Sequence, residues 1–278
     1  MKLLRITNIQ RGCVYDGPGV RTTLFLKGCS LDCPWCCNPE TKKYDVEWYV
    51  DNSKCLKYNG KKSVLCDACE RNKGINRLKD CPFGVAEKVC KDYNKDQLLE
   101  LIMRDYELFK KTNGGVTFSG GEPLMQSTPL QPLLIDIKRV GINIAFETSL
   151  CAGIQNLNNV IPYADTLIVD LKLQPQMKLN DKDYLDSIVY AKQLLNKKSV
   201  YYRMVYVESM KKCIREIFDN LKYIGVEELE VLPCHKLGEK KYNKLSINFL
   251  DMSVNSDEVL LFADYLNQHN IYTNVLSV

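Results

Sequence analysis

The segment VRTTLFLKGCSLDCPWCCNPE (residues 20–40) joins an alternating, β-branched run to a loop carrying Cys29, Cys33, Cys36 and Cys37. The run VRTTLFLKG has the period and composition of a strand, so the cysteines fall on a loop at a strand's carboxyl end. Cys29-x3-Cys33-x2-Cys36 places three thiols at ligand spacing. Cys37 is the immediate neighbour of Cys36, and adjacent side chains tend to point apart, so it makes a poor fourth ligand for one tetrahedral ion. Structural zinc takes four closed ligands, and most iron–sulfur clusters also use four cysteines. Three good ligands suit a [4Fe–4S] cluster with one iron left open. Zinc, or a closed cluster, is the plainer alternative.

The whole chain favours metal chemistry at such a loop. Its 278 residues, 45% of them hydrophobic, suffice for one large α/β domain with a small insert. The net charge of +4 comes from scattered lysines, without a dense basic block interleaved with aromatics. Nucleic acid is therefore not expected as a partner. The first residues lack the apolar run of a secretory signal, and no window reaches the roughly 18 apolar residues of a membrane helix. A cytoplasmic protein is expected, without membrane attachment. In a reducing compartment the 13 cysteines, an odd number, are thiols or metal ligands rather than disulfides.

Residues 50–92 break the texture, with Cys55, Cys66, Cys69, Cys81 and Cys90 among lysines and asparagines and no sustained apolar period. A segment this short has little core of its own and reads as a metal-held insert. Beyond it strand and helix signals alternate. NKDQLLELIMRDYELFKK reads as one helix and GGVTFSGGEP as a strand ending in a glycine turn. INIAFETS, DTLIVDLKL, SVYYRMVYV and VEELEVLP read as further strands separated by helices. Repeated units of this kind imply a parallel sheet with right-handed crossovers. The expected fold is α/β: a partial (β/α)6 barrel, with residues 1–49 and 93–278 in the barrel and 50–92 inserted. A doubly wound open sheet is the second choice. Both put functional residues at strand carboxyl ends. Asp170 and Lys172 fall there, and buried strand-end charges are costly unless paired or ligated.

The spacing C-x3-C-x-Φ-C, with Trp35 as the aromatic Φ, resembles the signature of the radical S-adenosylmethionine superfamily. DGPGVRTTLFLKGC (residues 16–29), CNPE, GGVTFSGGEPLMQ, IVDLKL and VLPCHKLGEKKY, in that order, resemble one branch of it, the glycyl radical enzyme activating enzymes. The resemblance implies that Cys29, Cys33 and Cys36 hold the open cluster and that S-adenosylmethionine occupies its free iron. It implies cosubstrate contacts from Trp35, Gly120, Gly121, Glu122, Thr148, Asp170, Lys172, Arg203 and His235. It further implies a possible monovalent cation near Asp170, a flavodoxin or ferredoxin as electron donor, and a monomer that acts on a partner glycyl radical enzyme. Asp16 and Arg21 are the candidates for touching that partner.

The chain departs from the family where Glu147, Thr148 and Ser149 replace an expected Asp-Thr pair, and where VYVES follows Arg203. In the insert, Cys66-x2-Cys69 and Cys81-Pro82 are pieces of a ferredoxin run. With Cys55 they offer ligands for a second [4Fe–4S] cluster, and Cys90 is a possible substitute. Zinc bound by four cysteines is the other reading. Two rival functions stay open: a radical enzyme acting on a small molecule or peptide, and a non-catalytic iron–sulfur electron carrier.

Overall fold

β1 (Leu4–Cys13) and β2 (Arg21–Leu26) form an antiparallel pair, so the strand that leads into the cysteine loop is braced from its outer side. The structure, a computed structural model, describes residues 3–61, 63–66, 81–177, 182–195 and 200–276. Cys69 lies outside them. β3 (Trp48–Val50) and β4 (Ala86–Lys88) make a separate antiparallel pair, and β5 (Lys91–Tyr93) returns to β1. The repeating part follows, with α1 (Lys95–Met103), α2 (Tyr106–Thr112), β6 (Gly115–Gly120), α3 (Ser127–Arg139) and β7 (Asn143–Thr148). Then come α4 (Ile154–Val160), β8 (Thr166–Asp170), α5 (Lys182–Leu194), β9 (Val200–Tyr206) and α6 (Ile214–Ile224). β10 (Glu228–Pro233), α7 (Glu239–Leu245), α8 (Ser256–Gln268) and β11 (Tyr272–Val275) complete it.

Among the described residues the main sheet runs β11-β10-β9-β8-β7-β6-β2-β1-β5. From β2 to β11 every neighbouring pair is parallel and the main-sheet strands stand in chain order. A doubly wound sheet would reverse its order at a switch point; none occurs, which removes the second-choice topology. The parallel run holds one strand more than six units require, and β1 and β5 extend it antiparallel. Among the described residues no helix is long and apolar enough to cross a membrane.

One further expectation is corrected. Residues 95–112 form two helices, not one. The turn comes at Asp105 (φ −103°, ψ 5°), whose buried carboxylate accepts from Arg11 Nε at 2.8 Å and Thr22 Oγ1 at 2.6 Å. A straight helix would carry that carboxylate away from β1 and β2. Arg11 holds it below the usual carboxylate range despite burial.

The two faces of the parallel sheet differ in kind. Leu24, Val116, Phe118, Ile144, Phe146, Val169, Met204 and Val231 are buried together with Leu130, Leu134 and Ile137 of α3. Their strand neighbours point the other way: Thr23, Thr117, Ser119, Glu147, Asp170, Arg203 and Glu230. Parallel sheets are ordinarily apolar on both faces, so a polar face must be filled by chain or by ligand. At the strands' amino ends the chain itself fills it. Tyr15 O accepts from Arg203 at 2.8 Å, Asp16 O from Thr117 Oγ1 at 2.7 Å, and Asp16 Oδ2 from Thr23 Oγ1 at 2.5 Å. At the carboxyl ends a cavity is left.

Candidate active site

The cysteine loop is tied at its base. Gly28, at φ +103°, donates to Thr41 O at 2.7 Å, and Cys29 N donates to Lys42 O at 2.8 Å. Beneath them the fully buried Lys27 ammonium donates to Glu40 O at 2.6 Å and Glu47 Oε2 at 2.7 Å. Cys29, Cys33 and Cys36 all border one cavity of about 280 Å³. Burial pushes the Cys29 thiol up to about 12 and Cys33 up to about 11, and raises Cys36 as well. Uncharged thiols gathered in a low-dielectric wall become thiolates when a metal centre supplies the positive charge. The donor set therefore fits one. Among the described residues no three His, Cys, Asp or Glu side chains converge as a single bound ion requires. Cys37 is exposed and also borders the cavity.

Trp35, Gly120, Gly121, Thr148, Asp170, Lys172, Arg203 and His235 line the same cavity, most of them at or just beyond strand carboxyl ends. The fold thus brings together residues spread over some two hundred positions. The Lys172 ammonium meets Asp170 Oδ2 at 2.5 Å; burial works against its charge, but Asp170 more than offsets this and keeps it protonated. Asp170 Oδ1 and Trp35 Nε1 are buried and without partners. Both residues line the cavity, and unpaired buried polar groups there are explained by a ligand that carries a cationic and a polar end. His235 Nδ1 accepts from Leu237 N at 3.3 Å, and burial lowers the ring's pKa, so Nε2 carries the proton of a neutral imidazole.

Three residues have roles other than those expected. Glu122 does not line the cavity. Its Oε1 accepts from Thr148 Oγ1 at 2.6 Å and Leu124 N at 3.2 Å, and its Oε2 from Ser149 N at 2.9 Å and Ser149 Oγ at 2.7 Å. It ties the β6 turn to the end of β7, and its oxygens have little left for a cosubstrate ammonium. Arg21 is fully buried, donating to Thr117 Oγ1 at 3.0 Å, Asn143 Oδ1 at 2.8 Å and Val116 O at 2.6 Å; it cannot reach a partner. Arg203 borders the cavity, but its guanidinium is shared among Glu147 at 3.0 Å, Glu230 at 2.8 Å and Tyr15 O. Glu147 spends its second oxygen on Ser119 Oγ at 2.6 Å. Glu230 was missed, although the alternation in VEELEVLP sets it on the polar face.

The glycine pair also works differently from expectation. A Cβ on Gly121 would collide with Gly28 O and lie 2.8 Å from Thr41 O. The absent side chain lets the β6 turn press against the base of the cysteine loop, where Glu122 N donates to Gly28 O at 2.8 Å. Gly121→Ala is expected to cost about 3 kcal/mol in urea unfolding of the metal-free protein. A change below half of that would mean that the two loops do not bear on one another.

Cys55, Cys66 and Cys81 are half-buried and Cys90 is buried. Elsewhere Cys234 is buried, while Cys13, Cys151 and Cys213 are partly exposed.

Residues 15–187 match the family model described as a 4Fe-4S single cluster domain. The (2S)-3-sulfopropanediol dehydratase activating enzyme of Klebsiella oxytoca is 29% identical, the match covering 96% of this chain and 95% of that one. The pyruvate formate-lyase 2-activating enzyme of Escherichia coli K12 is 31% identical over 87% of this chain and 80% of the relative. The crystal structure of QueE from Escherichia coli superposes with a TM-score of 0.53 at 15% identity, covering 99% and 95% of the two chains, which speaks to the fold alone.

Proposed function

This chain belongs to the glycyl radical enzyme activating enzymes, a branch of the radical S-adenosylmethionine enzymes, and we propose that Cys29, Cys33 and Cys36 hold a [4Fe–4S] cluster with one iron left for S-adenosylmethionine. Once reduced, such a cluster supplies the electron that cleaves the cosubstrate, and the 5′-deoxyadenosyl radical so released takes a Cα hydrogen from a glycine of a partner enzyme. The observation that carries this is a shared wall: Cys29, Cys33 and Cys36 border one cavity together with Asp170, whose Oδ1 is buried without a partner.

Within that cavity the chain's own residues bind, orient and exclude. Asp170 Oδ1 offers an anionic partner to the cosubstrate's ammonium group or to a monovalent cation. Lys172, held protonated by Asp170, reaches the cosubstrate's carboxylate or ribose end. Neutral His235 offers an N–H donor from the loop after β10. Trp35 and the backbone of Gly120 and Gly121 close the wall and keep out water, which would quench a carbon radical. The polar inner face and consecutive strand order support a partial barrel whose open side admits the partner's glycine loop. Asp16, the candidate for touching that partner, is tied instead to Thr23 and Thr117 in the segment that fills the strands' amino ends. Residues 50–92 form an insert in which Cys55, Cys66, Cys69 and Cys81 hold a second [4Fe–4S] cluster, and a flavodoxin or ferredoxin feeds electrons to a monomeric, cytoplasmic enzyme.

The reading is tested by reconstituting the protein anaerobically and incubating it, reduced, with S-adenosylmethionine and each glycyl radical enzyme of its source organism. A glycyl doublet in the electron paramagnetic resonance (EPR) spectrum is expected. A cluster signal that shifts with cosubstrate but yields no doublet would redirect the reading to another substrate. A signal indifferent to cosubstrate would sink it.

A further inference from the structure

We propose that α7 is a clamp on the metal-binding loop, with Lys241 and Tyr242 as positioning residues that fix how firmly the centre is held and how readily it is reduced. The inference rests on the assignment of Cys29, Cys33 and Cys36 as cluster ligands. The base of the loop is tied at Gly28 and Cys29, as described above. Its far side, from Cys36 to Glu40, is tied to a helix some two hundred residues downstream. Buried Tyr242 donates from its hydroxyl to Cys36 O at 3.0 Å. Lys241 Nζ donates to Asn38 Oδ1 at 2.6 Å and Glu40 Oε1 at 2.7 Å. Gly238, just before the helix, packs so closely that a Cβ there would lie 3.0 Å from Cys37 Cα. The helix also packs on β3 and on the turn Pro39–Thr41.

These contacts act on the ligand loop through geometry and through charge. The Tyr242 bond fixes the peptide of Cys36 and thereby the direction in which its sulfur leaves the backbone. Loss of such outer partners typically weakens metal binding about 10–100-fold. Lys241 neutralises Glu40, whose side chain is buried and whose Oε2 already lacks a partner. Without that ammonium an uncompensated carboxylate would stand beside the loop. Reduction adds negative charge to a centre already ringed by thiolates, so an extra anion nearby opposes it and lowers the potential.

The test uses the anaerobically reconstituted full-length protein and reads the EPR signal that shifts on adding S-adenosylmethionine, which isolates this centre from any other. Tyr242→Phe is expected to release that centre's iron to a chelator about tenfold faster than the parent chain. Lys241→Met is expected to move its midpoint potential to more negative values, with Lys241→Arg restoring it. Lys240→Met, on the exposed side of the same helix, serves as the control and leaves both readouts unchanged. A merely structural helix would lower thermal stability in all variants without a potential shift that Arg rescues. Parent-like release and potential in both Tyr242→Phe and Lys241→Met would overturn the clamp while leaving the ligand assignment intact. Absence of a cosubstrate-responsive signal in the parent would overturn both.

Discussion

Serine at any one of positions 29, 33 or 36 is expected to strip the cosubstrate-responsive centre of its iron and abolish glycyl radical formation, whereas Cys37→Ser keeps both. The three thiols border the same cavity, and burial holds each of them as an uncharged thiol until metal displaces the proton. Two remaining sulfurs cannot hold a cube that three hold with an iron to spare. The loss should therefore exceed the about 10–100-fold penalty for removing an outer-shell partner. Iron content and the shift of the EPR signal on adding S-adenosylmethionine are the measurements. Full iron retention in Cys33→Ser, or its loss in Cys37→Ser, would reassign the ligand set.

The loop and the alternating units were legible because each rests on local chemistry. Ligand spacing, strand period and glycine stops need no tertiary information. The misreadings share a cause, which is that a polar side chain's partner lies far away in sequence. Asp105 looked like one more residue of an amphipathic helix, and only Arg11 and Thr22 explain why the helix stops there. Arg21 looked like a surface contact, yet its partners at Val116, Thr117 and Asn143 sit on strands that the sequence places some hundred residues on. β1 went unassigned because beyond Ile6 its residues are largely exposed, so its apolar alternation fades after the first few positions.

The polar inner face ties these points together. A parallel sheet that shows acid, amide and guanidinium groups on one side must satisfy them, since unpaired buried polar groups cost free energy. At the amino ends the segment at residues 15–18 does so, and Arg203 links it to Glu147 and Glu230. At the carboxyl ends Trp35 Nε1 and Asp170 Oδ1, both assigned to ligand, stay without partners, as do Glu40 Oε2 and Gln174 Oε1. The fold thus completes its hydrogen bonding at the amino ends and leaves it incomplete at the carboxyl ends.

Glu122 tests that division most severely, because its carboxylate is buried, faces no cation, and is held by four hydroxyl and amide donors alone. Glu122→Ala leaves all four donors without an acceptor and is expected to destabilise the protein by about 3–5 kcal/mol. Glu122→Gln keeps the shape, and Thr148 and Ser149 can rotate their hydroxyls to accept from the new amide; its cost should be about 1–2 kcal/mol at pH 7. Burial raises the Glu122 pKa above its ordinary 4.5. A carboxyl whose folded pKa lies above its unfolded one contributes stability that is fully present below the unfolded value and lost as pH rises through the folded value. The parent chain therefore gains from this group as pH falls toward 4.5, and the glutamine variant does not. The deficit of Glu122→Gln in urea unfolding should widen on acidification. If instead it closes, the four donors outweigh burial and hold Glu122 as an anion.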